Sequence, residues 1–230
     1  MSRDRNAASS AAKTRAAEAQ ARARRRLLAF GGVGAVVAIA ALFLIFRGAT
    51  SPGGGPGGAG GNDPYAYAVG QPGVGQPAPQ FSLASTGGNS FDLSAQRGKT
   101  VLLYFQEGIS CQPCWKQIVD IEHNLDAFHQ LGIQQVVSIT SDDASALRQK
   151  VSDEGISSLV LSDPNLGVSQ RYSANLYGMM GTSRDGHTFI AVGPDGLIRW
   201  RADYGGSPNF TMYVPVDRLL AQLKTGLGKT

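Results

Sequence analysis

A chain of 230 residues is long enough for one or two domains, but only the part after a glycine-rich stretch has mixed globular composition, so a single core is expected. The formal charge of +4 at pH 7 is unevenly spread: residues 1–47 carry nine Lys/Arg against Asp4 and Glu18, and the rest carries 12 basic and 15 acidic side chains. That distribution excludes a basic nucleic-acid face on the folded part.

Residues 1–26 form a basic tail rich in Ala and Arg. The 20 residues from Leu27 to Phe46 carry no charge. As a helix they would measure about 30 Å, the thickness of the hydrocarbon core, which predicts one transmembrane helix over 27–46. The run is longer than the roughly 7–15 apolar residues of a signal peptide, so a retained anchor is expected. Eight Lys/Arg precede it and only Arg47 follows before Arg97. The positive-inside rule then predicts a single-pass protein of the cell membrane, with its N-terminus cytoplasmic and its C-terminal domain extracytoplasmic. Residues 48–62 contain eight Gly and two Pro, and the Pro/Gly/Gln-rich composition continues beyond them. The stretch 47–75 therefore reads as a linker and 76–230 as the folded domain.

Within that domain, Phe81 and Leu83, the turn residues 86–89, then Phe91 and Leu93 predict a β-hairpin. The apolar run Val101–Phe105 suits a strand buried on both faces. Trp115, Ile118, Ile121, Leu125 and Phe128 recur at helical spacing and predict one helix ending near Gly132. A strand over Val136–Thr140 follows, then a helix over 144–154 capped by Asp142 and Asp143. Leu159–Leu161 is a short strand, and Asp163 before Pro164 predicts a helix start. The turn 193–196 joins strands over Thr188–Val192 and Leu197–Asp203, and Val216, Leu219, Leu220 and Leu223 mark a last helix. This order predicts an α/β domain with a mixed sheet.

Cys111 and Cys114 are the only cysteines, three apart where the buried strand meets the helix. A helix N-terminus favours a thiolate, so Cys111 is the predicted nucleophile. Cys114, one turn further in, is the predicted resolving thiol. Pro113 fits the first helical turn, where its missing N–H costs nothing. A structural disulfide constrains little over so short a loop, and a zinc site needs four ligands where no second CxxC exists. Glu107, four residues before Cys111, is a candidate to relay protons.

Residues 76–225 resemble the thioredoxin-like superfamily, in its membrane-tethered TlpA and AhpC/TSA-related branch. The likeness is carried by Pro79–Leu83 and Asp92–Leu93, by Gly98–Phe105, by the Cys-Gln-Pro-Cys motif at 111–114, and by Phe189–Ile198. It implies a thioredoxin-like fold: a mixed central sheet with helices on both faces and an N-terminal β-hairpin. It implies a thiol–disulfide oxidoreductase with Cys111 and Cys114 in the redox positions and the redox-active disulfide as the working group, without another cofactor. Protein thiols or disulfides would be its substrates, and a further, unidentified redox partner would recharge the pair. Trp115 follows the second cysteine, whereas the family often places a Trp before the first. Gly186 and His187 stand near the place that faces the pair. Two alternatives accompany this reading. His187 and the two cysteines would give a Cu(I) site, similar to Sco-type copper chaperones. An atypical thiol peroxidase is the other, atypical because the peroxidatic Pro-x-x-x-Thr/Ser-x-x-Cys pattern fits neither Cys111 nor Cys114.

Overall fold

The computed structural model describes residues 63–228. The basic tail and the predicted span over 27–46 lie outside the described residues. Among the described residues, no helix is long and apolar enough to cross a membrane.

The strand Val101–Phe105 (β3) is buried at all five positions. It pairs in parallel with Gln135–Thr140 (β4) and antiparallel with Thr188–Val192 (β6). Outward from β4 come Leu159–Ser162 (β5) and the hairpin of Ser82–Ser85 (β1) with Ser90–Asp92 (β2); outward from β6 comes Ile198–Asp203 (β7). The seven-stranded order is β2-β1-β5-β4-β3-β6-β7. An apolar run without alternation belongs at the centre of a sheet because it has a core on either side. Period-two geometry divides β3 accordingly. Leu102 and Tyr104 join one apolar cluster, while Val101, Leu103 and Phe105 join the other. Tyr104 also stacks on its cross-strand partner Phe189, with ring centroids 4.4 Å apart.

The first cluster collects Trp115, Ile118 and Ile121 from the helix Gln112–Glu122 (α1), and Phe128 from Leu125–Gln130 (α2). It also takes Leu147 from Ala144–Glu154 (α3) and Leu219 and Leu223 from Val216–Gly226 (α5). The opposite face receives Val168 of the short helix Gly167–Arg171 (α4), with Tyr172 and Ala174. Helices thus lie on both faces, unevenly.

Four local expectations are corrected. The single helix expected up to Gly132 is two, α1 and α2, because the backbone leaves the helical region at Asn124, whose side chain bonds the carbonyl of Asp120. The apolar stripe survives the break, since both helices face one core. Asp143 precedes α3 without capping it through its side chain, and Asp142 is engaged elsewhere. Asp163 does accept from the amides of Val168 and Ser169, but α4 starts at Gly167, so Pro164 is not its first residue. Finally, residues 63–75, assigned to the linker by composition, are fastened along β7. Ala68 exchanges backbone hydrogen bonds of 3.0 and 2.9 Å with Asp203, Gly75 donates to Ile198, and Tyr67 packs edge-on against Trp200 and Tyr204. The two aromatic contacts supply apolar burial that a Gly/Pro count does not register.

Glu122, at the end of α1, ties that helix to the entry of β5. Its carboxylate accepts from the amides of Ser157 and Ser158 and from both hydroxyls. Partial burial opposes ionisation, yet the bonds from Ser158 and Ser157 prevail and hold the pKa below the ordinary 4.5. A lowered carboxyl pKa stabilises the fold above the unfolded value, and the contribution is lost as pH falls through the folded one. Glu122→Ala should therefore cost about 1–2 kcal/mol at pH 7. In urea titrations the gap between wild type and variant should narrow as pH is lowered past 4.5.

Candidate redox site

The strand β3 ends at Phe105, and the chain must turn sharply to start α1 at Gln112. Gly108 makes the turn with φ of +101°, and a Cβ there would lie 1.9 Å from a carboxylate oxygen of Asp142. Only glycine meets both demands. Three hydrogen bonds fix the loop: Gly108 N to the side-chain oxygen of Gln106 (2.6 Å), Ile109 N to Asp142 (2.7 Å), and the Trp115 indole N–H to the carbonyl of Gly108 (3.1 Å). Asp142 is held in turn by Arg184 at 2.6 Å. Trp115 is fully buried, so its role is to lock the loop onto the helix.

Cys111 is the N-cap of α1, with Pro113 in the first turn. The two cysteines form a disulfide, with Cα atoms 5.3 Å apart. The amide of Cys114 points at the Cys111 sulfur at 3.3 Å, so charge on that sulfur meets a backbone donor as well as the positive end of the helix. Cys111 is 8% exposed and Cys114 is fully buried. Its neighbours Ser110, Gln112 and Pro113 are exposed, which leaves the disulfide just beneath the surface. The two cysteines and Met212 form a small buried cluster of their own.

The remaining predicted residues are placed differently. Glu107 is buried, but it does not bond either cysteine: one carboxylate oxygen accepts from the amides of Met179 and Met180, the latter at 3.2 Å. It clamps the loop that carries these two exposed methionines. Glu107→Ala should speed amide exchange at Met179 and Met180 by about tenfold, as expected for one lost charged hydrogen bond, with a smaller effect for Glu107→Gln. Hydrogen-exchange mass spectrometry would read it, and unchanged protection would remove the clamp.

Gly186 is required by close approach, since a Cβ there would fall 1.9 Å from the carbonyl oxygen of Tyr177. His187 is fully buried among Tyr104, Phe189 and Tyr204, with Nδ1 3.3 Å from the Tyr104 hydroxyl. Burial lowers its pKa to about 3, against a smaller opposing pull from the Met212 backbone, so the ring is neutral at pH 7. No hydrogen bond joins it to either sulfur among the described residues. Those residues also contain no group of three His, Cys, Asp or Glu side chains placed to hold a metal ion, so the geometry gives the Cu(I) alternative no support.

Met212 was missed by sequence reasoning. It lies about a hundred positions beyond the motif in a segment without periodicity, and nothing local in the sequence ties it to the cysteines.

A family model described as the AhpC/TSA family matches residues 74–201. A protein of Mycobacterium tuberculosis H37Rv, provisionally named a peroxiredoxin, is 34% identical over 130 residues, covering 54% of this chain and 80% of its own. Peroxiredoxin Bcp of Escherichia coli K12 is 27% identical over 128 residues, covering 54% and 81%. Among solved structures, peroxidoxin BcpB of Mycobacterium tuberculosis superposes with a TM-score of 0.54 at 19% identity, covering 66% of this chain and 96% of that one. AhpC of the same organism gives 0.55 at 18%, covering 66% and 91%. The fold is the mixed α/β thioredoxin-like one. The relatives fall on the peroxiredoxin side, which the missing spacing pattern had argued against. That pattern tests three positions, whereas the likeness is spread over more than a hundred.

Proposed function

This chain belongs to the AhpC/TSA family, and on that premise we propose that it is a thiol peroxidase in which Cys111 attacks a hydroperoxide and Cys114 resolves the product. The observation that carries the reading is the Cys111–Cys114 disulfide within the first turn of an intact α1. Resolution there requires no helix to unwind. The Cys111 thiolate attacks the distal oxygen of the hydroperoxide; the O–O bond breaks, and the departing alkoxide or hydroxide leaves protonated. Cys111 becomes a sulfenic acid. The Cys114 thiol then attacks that sulfur, water departs, and the disulfide forms, the two thiols having given two electrons to the peroxide. A dithiol partner returns the pair to the reduced state.

The assignment of first attack to Cys111 is supported by its N-cap position and its residual exposure. The names of the relatives support peroxide as the oxidant. A second reading is exchange with protein disulfides, since cysteines three positions apart close a disulfide whichever oxidant acts. We also propose that residues 27–46 anchor the domain at the outer face of the cell membrane, supported by the uncharged run and the basic residues before it.

The test is to reduce the full chain, remove the reductant and add hydrogen peroxide. One equivalent should be consumed per chain, with the disulfide returning in step. Reduced protein that ignores peroxide yet exchanges readily with a protein disulfide would replace this reading by the second.

A further inference from the structure

The segment 211–214 crosses the redox helix as a strap pinned on both sides of Met212. Thr211 N donates to the carbonyl of Tyr204 at 3.0 Å before it. After it, the Tyr213 hydroxyl bonds Asp120, and Val214 N donates to the buried side-chain oxygen of Gln117 at 2.7 Å. Asp120 and Gln117 both belong to α1, so the strap is registered on the helix that carries the disulfide. Lys116 of the same helix lies 4.9 Å above the Tyr213 ring. The pinned backbone holds Met212, 8% exposed, in one buried cluster with Cys111, itself 8% exposed, and Cys114, where the chain neighbours Ser110, Gln112 and Pro113 reach the surface.

A thioether on three rotatable bonds, held on a fixed backbone, can swing between rotamers at little cost. It therefore blocks by size rather than absolutely. Building on the peroxidase reading, we infer that Met212 is the gate to Cys111 and restricts its oxidant to small hydroperoxides. A molecule with few heavy atoms passes beside the thioether, and a bulky aryl hydroperoxide reaches the sulfur only when the side chain is displaced. The selectivity is set by contact with the incoming oxidant, not by the reactivity of the thiolate.

The experiment compares the full chain with its Met212→Ala and Met212→Leu variants, measuring rate constants of the reduced forms with hydrogen peroxide and with cumene hydroperoxide. Met212→Ala should raise the cumene hydroperoxide rate by about tenfold relative to the hydrogen peroxide rate, the discrimination available from a few methylene-sized contacts, while Met212→Leu leaves the ratio unchanged. A ratio within about twofold of wild type in Met212→Ala would overturn the gate, since steric discrimination of even one methylene exceeds that. Should the alanine variant fail to fold, Met212→Val carries the same comparison. Wild-type protein that reacts with neither hydroperoxide would sink the peroxidase reading alone. The gate is then judged on disulfide reduction, by trimethylphosphine against a protein dithiol. A shift towards the bulky reductant in Met212→Ala sustains it, and an unchanged ratio overturns it.

Discussion

Replacing Cys111 by serine is expected to lower peroxide consumption by at least about a thousandfold, because a hydroxyl is not ionised near neutrality and only the thiolate attacks. The N-cap geometry gives serine no remedy. The Cys114 amide and the helix end favour charge on the Cys111 atom, but their pull of a few kcal/mol at most leaves a hydroxyl protonated. Cys114→Ser should behave differently. Its Cys111 still takes one oxygen from peroxide, but no neighbouring thiol expels water from the sulfenic acid. The acid should accumulate, react with dimedone, and pass to the sulfinic state under excess peroxide. Turnover is lost while the first turnover remains. Stopped-flow peroxide consumption and intact-mass measurement separate the two variants. Peroxide reactivity that survives in Cys111→Ser and vanishes in Cys114→Ser would reverse the roles, placing first attack on the fully buried sulfur.

The parts of this protein that could be read from its residues are those whose causes are local. The unalternating run of β3 announces a central strand because each side chain is apolar regardless of which face it meets. The cysteine motif announces a helix start because a proline in the first turn and a nucleophile at the cap are both demands of neighbouring backbone. The break at Asn124 was hidden because the spacing of Leu125 and Phe128 keeps the same apolar face across it. Asp142 illustrates the opposite failure. Read as a cap for the helix after it, it serves the redox loop before it, bonding Ile109 from 33 positions away. His187 and Glu107 are near the right place for the wrong reasons, one buried neutral and the other committed to a loop. Met212 carries no local mark at all, and only the folding of the strap onto α1 brings it to the cysteines.

The largest stability effect is expected at Asp203, which joins the N-terminal arm to the sheet. Arg201 and Asp203 are fully buried and paired at 2.8 and 2.9 Å through two parallel bonds. The carboxylate also accepts from Gly70 N at 2.7 Å and the Thr188 hydroxyl at 2.8 Å, while the guanidinium donates to the carbonyl of Pro72. Gly70 leaves room for this contact, since a Cβ there would stand 2.7 Å from the guanidinium and 2.6 Å from the Tyr177 hydroxyl and would have to displace both. Asp203→Ala leaves a positive charge buried without its partner and should cost about 3–5 kcal/mol in urea unfolding. Adding Arg201→Met removes that charge and should recover part of the loss, because buried ion pairs are often nearly neutral against apolar replacements. Recovery is incomplete, since Gly70 N and the Thr188 hydroxyl still lack an acceptor. The damage should also reach His187. Arg201 packs against the Tyr177 ring, and the Tyr177 carbonyl receives the His187 amide at 2.8 Å, so a chain of contacts runs from the arm through the pair to His187. A loss below about 1 kcal/mol for Asp203→Ala, the range of an exposed pair, would mean that water enters this cluster and that the arm is held by its aromatic contacts instead.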